Sequence, residues 1–143
     1  MLIGISDIKK LNNLFCLIDK KAKQIIMPNH KMIKPTLTII IPAYNYAKTL
    51  ERAIYSVLNQ ITEHVELIVV NDGSTDDTKA LLDRIESVEK NRLRVFHKRN
   101  GGPASARNFG VLNGYGDYFI FLDADDELMP GAVASVLEFI QVN

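Results

Sequence analysis

Cysteine is nearly absent from this chain: Cys16 is the single one in 143 residues. An internal disulfide is therefore excluded, and a lone thiol fits a reducing cytoplasm. Cys16 sits in an apolar stretch of helical period, which reads as a buried, inert thiol. Net charge is also absent, with 17 Lys and Arg against 17 Asp and Glu. The composition thus offers no general case for nucleic-acid binding. No apolar run reaches the roughly 18–20 residues that span a membrane. The N-terminus lacks the apolar stretch and small-residue cleavage site of a signal peptide. Neither an internal repeat nor a low-complexity segment occurs. The three histidines, His30, His64 and His97, have no metal-ligand spacing and read as solvated or locally hydrogen-bonded.

Apolar residues make up 47% of the chain, enough for the core of one domain. The charges are unevenly spread. Residues 1–35 carry seven Lys against Asp7 and Asp19, a net +5, and the remainder carries 10 basic and 15 acidic residues, a net −5. Within 6–27 the apolar positions Ile8, Leu11, Leu14, Phe15, Ile18, Ala22, Ile25 and Ile26 keep a helical period. Pro28, Asn29 and Pro35 then mark a linker. The division expected is a basic amphipathic arm over 1–35 and an α/β domain over 36–143. The arm suits packing on the domain, self-association, or contact with an anionic membrane at its inner face.

The domain holds three apolar strands that run into polar residues. Phe119-Ile120-Phe121-Leu122 is followed by four acids in five positions, Asp123, Asp125, Asp126 and Glu127. Carboxylates this close repel unless a cation neutralises them, and hard oxygen donors suit Mg²⁺ or Mn²⁺. Asp-x-Asp at a strand end is a candidate site for a metal bridging a diphosphate; the plain alternative is a solvated acidic turn. Leu37 to Ile41 is a strand closed by Pro42, and Glu66 to Val70 runs into Asn71-Asp72-Gly73-Ser74.

Helical patterns follow each strand. They are expected over about 47–60 (Leu50, Ile54, Val57, Leu58, Ile61 inward) and from about Thr75 (Leu81, Leu82, Ile85, Val88 inward), with Ser74 as N-cap. A third strand near 93–97 precedes Asn100-Gly101-Gly102-Pro103, which opens a helix to about Asn113. The small residues and free N–H groups there favour an anion such as diphosphate. A last strand near 117–122 and a helix from Pro130 complete the pattern. Such alternation implies a mostly parallel sheet of about four strands with helices on both faces. Ligands of such sheets bind beyond the carboxyl ends of the strands.

"TIIIPAYNYAKTLERAIYSVLNQ", "ELIVVNDGSTDDT" and "GGPASARNFGVLNGYGDYFIFLDADDEL" resemble the successive motifs of family-2 inverting glycosyltransferases of the GT-A fold. The resemblance covers about residues 36–141. It implies binding of a UDP-sugar or other nucleoside-diphosphate sugar through Mn²⁺ or Mg²⁺, for inverting transfer to a saccharide or lipid-linked acceptor in polysaccharide synthesis. It implies that Pro42, Ala43, Tyr44 and Asn45 line the base and ribose, and that Asp72 bonds the base beside Gly73. Arg107 and Asn108 match its "AR-N" pattern. Asp125 is implied as the direct metal ligand, with Asp123 and Ala124 near the ribose or sugar and Asp123 as a second ligand. The implied general base lies well downstream of Asp-x-Asp, in the acceptor-binding half. Asn143 follows the motif by about one helix, so the chain is expected to hold the donor half alone, with one sheet edge bare and transfer weak or absent. A binding or assembly module derived from such an enzyme is the alternative. A dinucleotide-binding dehydrogenase is disfavoured, because no Gly-x-Gly-x-x-Gly follows the first strand.

Overall fold

The computed structural model describes residues 34–142. The arm predicted over 6–27, with Cys16, lies outside the described residues. Eight elements alternate among the described residues: β1 (Leu37–Ala43), α1 (Leu50–Leu58), β2 (Val65–Asn71), α2 (Thr78–Val88), β3 (Arg94–His97), α3 (Pro103–Asn113), β4 (Tyr118–Phe121) and α4 (Ala132–Val142). The strands form one parallel sheet in the order β3-β2-β1-β4. The predicted α/β architecture is what the chain adopts.

The interior strands β1 and β2 are apolar at almost every position because both faces of the sheet are covered. Alternate side chains go to opposite faces. Leu37, Ile39, Ile41, Leu67, Val69 and Leu122 meet α1, α2 and α4 through Leu50, Ile54, Val57, Leu82, Ile85 and Val133. Ile40, Ile68 and Val70 face the other way, onto Ala106 of α3, with Phe96, Phe109 and Phe119 packed around them. Each such fully buried aliphatic side chain contributes about 1.5–3 kcal/mol.

The α3 helix lies close on β1 because Gly110 faces Ile40. A Cβ built at Gly110 would stand 2.5 Å from Ile40 Cγ2, a side chain with no exposed surface. Gly110→Val is therefore expected to destabilise the domain by about 1–3 kcal/mol through overpacking. Urea unfolding with an unchanged m-value checks this.

Several boundaries differ from the sequence expectation, each for a local reason. Pro42 does not end β1, which continues to Ala43 in register with Asn71. Ile40 O accepts Leu122 N–H and Ala43 O accepts Asp72 N–H, so even positions of β1 bond towards β4 and odd ones towards β2. The missing N–H of Pro42 falls on the β4 side, beyond the last β1–β4 pair at Ile40 and Phe121. A proline is tolerated there because no ladder bond is lost.

Ser74 does not cap α2, which starts at Thr78. Its hydroxyl instead accepts Asn45 N–H at 2.9 Å. Asp77 is the N-cap and makes no side-chain capping bond, while Asp76, one residue earlier, accepts Thr78 N–H at 2.9 Å. Val88, expected inside, is 69% exposed. The α1 and α4 helices start at Leu50 and Ala132, three and two residues later than expected. No helix among the described residues is long and apolar enough to cross a membrane.

Candidate functional site

All four strands point their carboxyl ends the same way. Asp72 N–H bonds Ala43 O at 2.9 Å, Lys98 N–H bonds Asn71 O at 3.0 Å, and Leu122 N–H bonds Ile40 O at 3.0 Å. The segments leaving β1 to β4 therefore emerge side by side. They enclose a cleft of ≈ 590 Å³, within the usual size for a small-molecule site of about 300–1,000 Å³. Of the residues singled out in the sequence, Pro42, Ala43, Tyr44, Asp72, Arg107, Asp123, Ala124 and Asp125 line it. Asn100, Gly102 and Pro103 of the segment expected to favour an anion also line it, and so does Tyr46, to which no role was given. The signal of Tyr46 was slight: it follows Asn45 within the first motif without a role of its own.

Asn45, Gly73 and Asn108 are not on the cleft wall. Asn45 holds the wall in place. It adopts φ 61, a left-handed conformation that asparagine tolerates. Its side-chain oxygen accepts Thr75 N–H at 2.7 Å and Asp76 N–H at 3.2 Å. The loop after β1 is thereby joined to the loop after β2. Gly73, at φ 74, approaches Asn100 so closely that a Cβ would lie 2.7 Å from Asn100 N. Asn108 is exposed on α3.

Asp72 forms the floor of the cleft and is 2% exposed. It ion-pairs with Lys98, and it accepts Gly101 N–H at 3.0 Å and Gly102 N–H at 2.8 Å. Burial pushes its carboxyl up, but the Lys98 bond, the two glycine amides and the Lys98 charge outweigh it. Its pKa lies below the ordinary value. Two amides expected to be free for a diphosphate thus already serve Asp72. The Lys98 partner was invisible in the sequence, 26 residues away and just past the end of β3.

The acidic motif is held from two sides. Arg107 Nη2 donates to Asp123 Oδ1 at 2.9 Å. Thr49 Oγ1 donates to Ala124 O at 3.0 Å, and Gln60 Nε2 to Met129 O at 3.0 Å, tying the segment to residues flanking the two ends of α1. Asp125 is exposed to the cleft and makes no hydrogen bond or ion pair among the described residues. No cluster of three or more potential metal ligands occurs among the described residues. A cation that takes one or two carboxylates and completes its shell with water and substrate phosphate needs no such cluster. The free carboxylate of Asp125 beside Asp123 fits a cation of that kind.

Residues 38–143 match the profile of glycosyl transferase family 2. An uncharacterised glycosyltransferase of Rickettsia bellii is 39% identical over 129 residues, spanning 90% of this chain and 18% of that protein. A Campylobacter jejuni GalNAc(5)-diNAcBac-PP-undecaprenol beta-1,3-glucosyltransferase is 36% identical over 106 residues, 73% of this chain and 34% of that enzyme. Among solved structures, Staphylococcus aureus TarS 1-349 in complex with UDP-GlcNAc superimposes with TM-score 0.66 at 27% identity. That match covers 75% of this chain and 31% of the TarS chain. The parallel sheet and its flanking helices define an α/β domain of GT-A type. The chain belongs to glycosyl transferase family 2. It spans less than half the length of these relatives.

Proposed function

We propose that the cleft binds a nucleoside-diphosphate sugar, with its diphosphate next to a divalent cation, Mg²⁺ or Mn²⁺, held by Asp125 and Asp123. The observation that carries this reading is the convergence of four strand ends on one cleft in which Asp125 alone of the motif carboxylates lining it is left unpaired. A cation bound there offsets the negative charge that builds on the departing diphosphate. Arg107 keeps Asp123 oriented. Tyr44, 45% exposed, offers a ring face to the nucleobase. A base N–H reaches Asp72 by exchanging with Lys98. The TarS complex supports UDP as the nucleotide. The Campylobacter relative supports a lipid-linked saccharide as acceptor. Inverting transfer is the reaction, and its general base is not assigned among the described residues.

Calorimetric titration of UDP, GDP and dTDP, each with and without Mn²⁺, tests the reading. UDP binding that requires Mn²⁺ is the expected result. Failure of all three nucleotides to bind with Mn²⁺ present would reject it.

A further inference from the structure

His97 ends β3 outside the cleft and joins the cleft floor to α2. Its Nδ1 lies 3.0 Å from Asn71 Nδ2, and its Nε2 lies 2.9 Å from Asp83 Oδ1. Asn71 in turn accepts Ser74 N–H at 3.0 Å through Oδ1. The two ends of this relay determine where its protons sit. A backbone N–H can only donate, so the Asn71 oxygen must face Ser74 and its NH₂ must face His97. The Lys79 hydrogen bond, opposed by slight desolvation and aided by His97, holds the Asp83 carboxyl below its ordinary value. Asp83 is thus a pure acceptor. His97 must donate from Nε2 and accept at Nδ1, which is a neutral tautomer.

An imidazolium carries a proton on both nitrogens. It would set Nδ1–H against the Asn71 NH₂ at a 3.0 Å separation. If Asn71 turns its amide over, that conflict moves to Ser74 N–H. One bond of the relay is lost either way. The other charged groups near His97 each have a hydrogen-bonding partner of their own. On α2, Asp83 pairs with Lys79, and Glu86 accepts Val95 N–H at 3.1 Å. At the end of β2, Asp72 is matched by Lys98, and on β3 itself Arg94 pairs with Glu66. Asp83 favours the charged ring, and Asn71 is the neighbour whose bond that ring would lose.

We propose that His97 is a positioning residue for the nucleotide cleft: neutral, it orients Asn71 to pin the Asp72–Ser74 turn, and protonated, it releases that turn. The proposal rests on the reading of the cleft as a nucleoside-diphosphate site. The turn reaches the cleft through Asp72 on its floor and through Ser74, whose hydroxyl holds the loop after β1.

Two readouts on the full chain test it as the pH is lowered from about 8 to about 5. One is the Ser74 amide resonance and its exchange protection by NMR, measured without ligand. The other is calorimetric affinity for UDP with Mn²⁺. His97→Asn places a non-titrating amide oxygen where Nδ1 accepts. Asn71→Asp supplies oxygens to both Ser74 N–H and the imidazolium. In the wild type, the Ser74 amide should shift and lose protection as the His97 ring titrates. UDP affinity should fall about three- to tenfold relative to His97→Asn, the effect of one hydrogen bond. That ratio cancels the protonation of UDP itself. In Asn71→Asp the Ser74 amide should stay in place. A Ser74 amide that ignores His97 titration, or that responds equally in Asn71→Asp, overturns the relay. Coincident UDP profiles for wild type and His97→Asn overturn the positioning role. No UDP binding at any pH overturns the cleft reading and the role together, while the Ser74 amide still decides the relay.

Discussion

Asp125→Asn should remove metal-dependent UDP binding while leaving the fold intact. Replacing one carboxylate oxygen by an amide nitrogen removes the charge that holds a hard cation. Loss of a group that merely supports a metal ligand costs about 10–100-fold in metal affinity, and loss of a ligand itself should cost no less. A drop of at least about tenfold in UDP affinity with Mn²⁺ is therefore expected. Stability should change by no more than about 0.5 kcal/mol, because Asp125 is exposed and has no partner to lose among the described residues. Calorimetry paired with urea unfolding separates the two effects. Unaltered UDP affinity with Mn²⁺ present would remove Asp125 from the site.

Asp72→Ala should behave in the opposite way and cost the fold. Its carboxylate is 3% exposed and its Lys98 partner 16%. Removing one member of a buried pair leaves an uncompensated charge, at about 3–5 kcal/mol. The amides of Gly101 and Gly102 would also lose their acceptor. Because Lys98 keeps some contact with water, about 3 kcal/mol is expected. The same substitution in a Lys98→Met background should cost clearly less, since no cation is stranded. Equal costs in the two backgrounds would show that the pair carries no coupling.

The same carboxylate gives the domain an acid limit. The folded-state pKa of Asp72 is depressed, and so is that of Asp76, where burial is outweighed by bonds to Thr78 and Ala47. A depressed carboxylate stabilises the fold fully above its unfolded value of about 3.9. That stabilisation is lost as pH falls through the lower folded values. Unfolding free energy should therefore decline below about pH 4–5, and the decline should be shallower in Asp72→Asn. An identical slope in that variant would place the acid limit elsewhere.

Much of the architecture was legible in the chain because its signals are local. Val65–Asn71 and Pro103–Asn113 could be read almost to the residue. An apolar run bounded by turn residues and a proline at the first helical position are both short-range signals. The three polar strand endings also announced a shared cleft, since parallel strands must deliver their ends to one side. Pro42 was misread because its effect depends on which neighbour its missing N–H would have faced. Ser74 was misread because Asn45, 29 residues away, competes for its hydroxyl.

By itself the sequence determined the order of elements, the hydrophobic faces and the family, since each follows from periodicity and from motifs read along the chain. Only the tertiary structure decided how the charges of the site are used. It gave Asp72 to Lys98 and the glycine amides, Asp123 to Arg107, and left Asp125 open. It also set His97 between Asp83 and Asn71. A carboxylate or an imidazole takes its role from whichever donor or acceptor lies within about 3 Å. Those partners come from different strands and helices, so their pairing exists only once the sheet has brought them together.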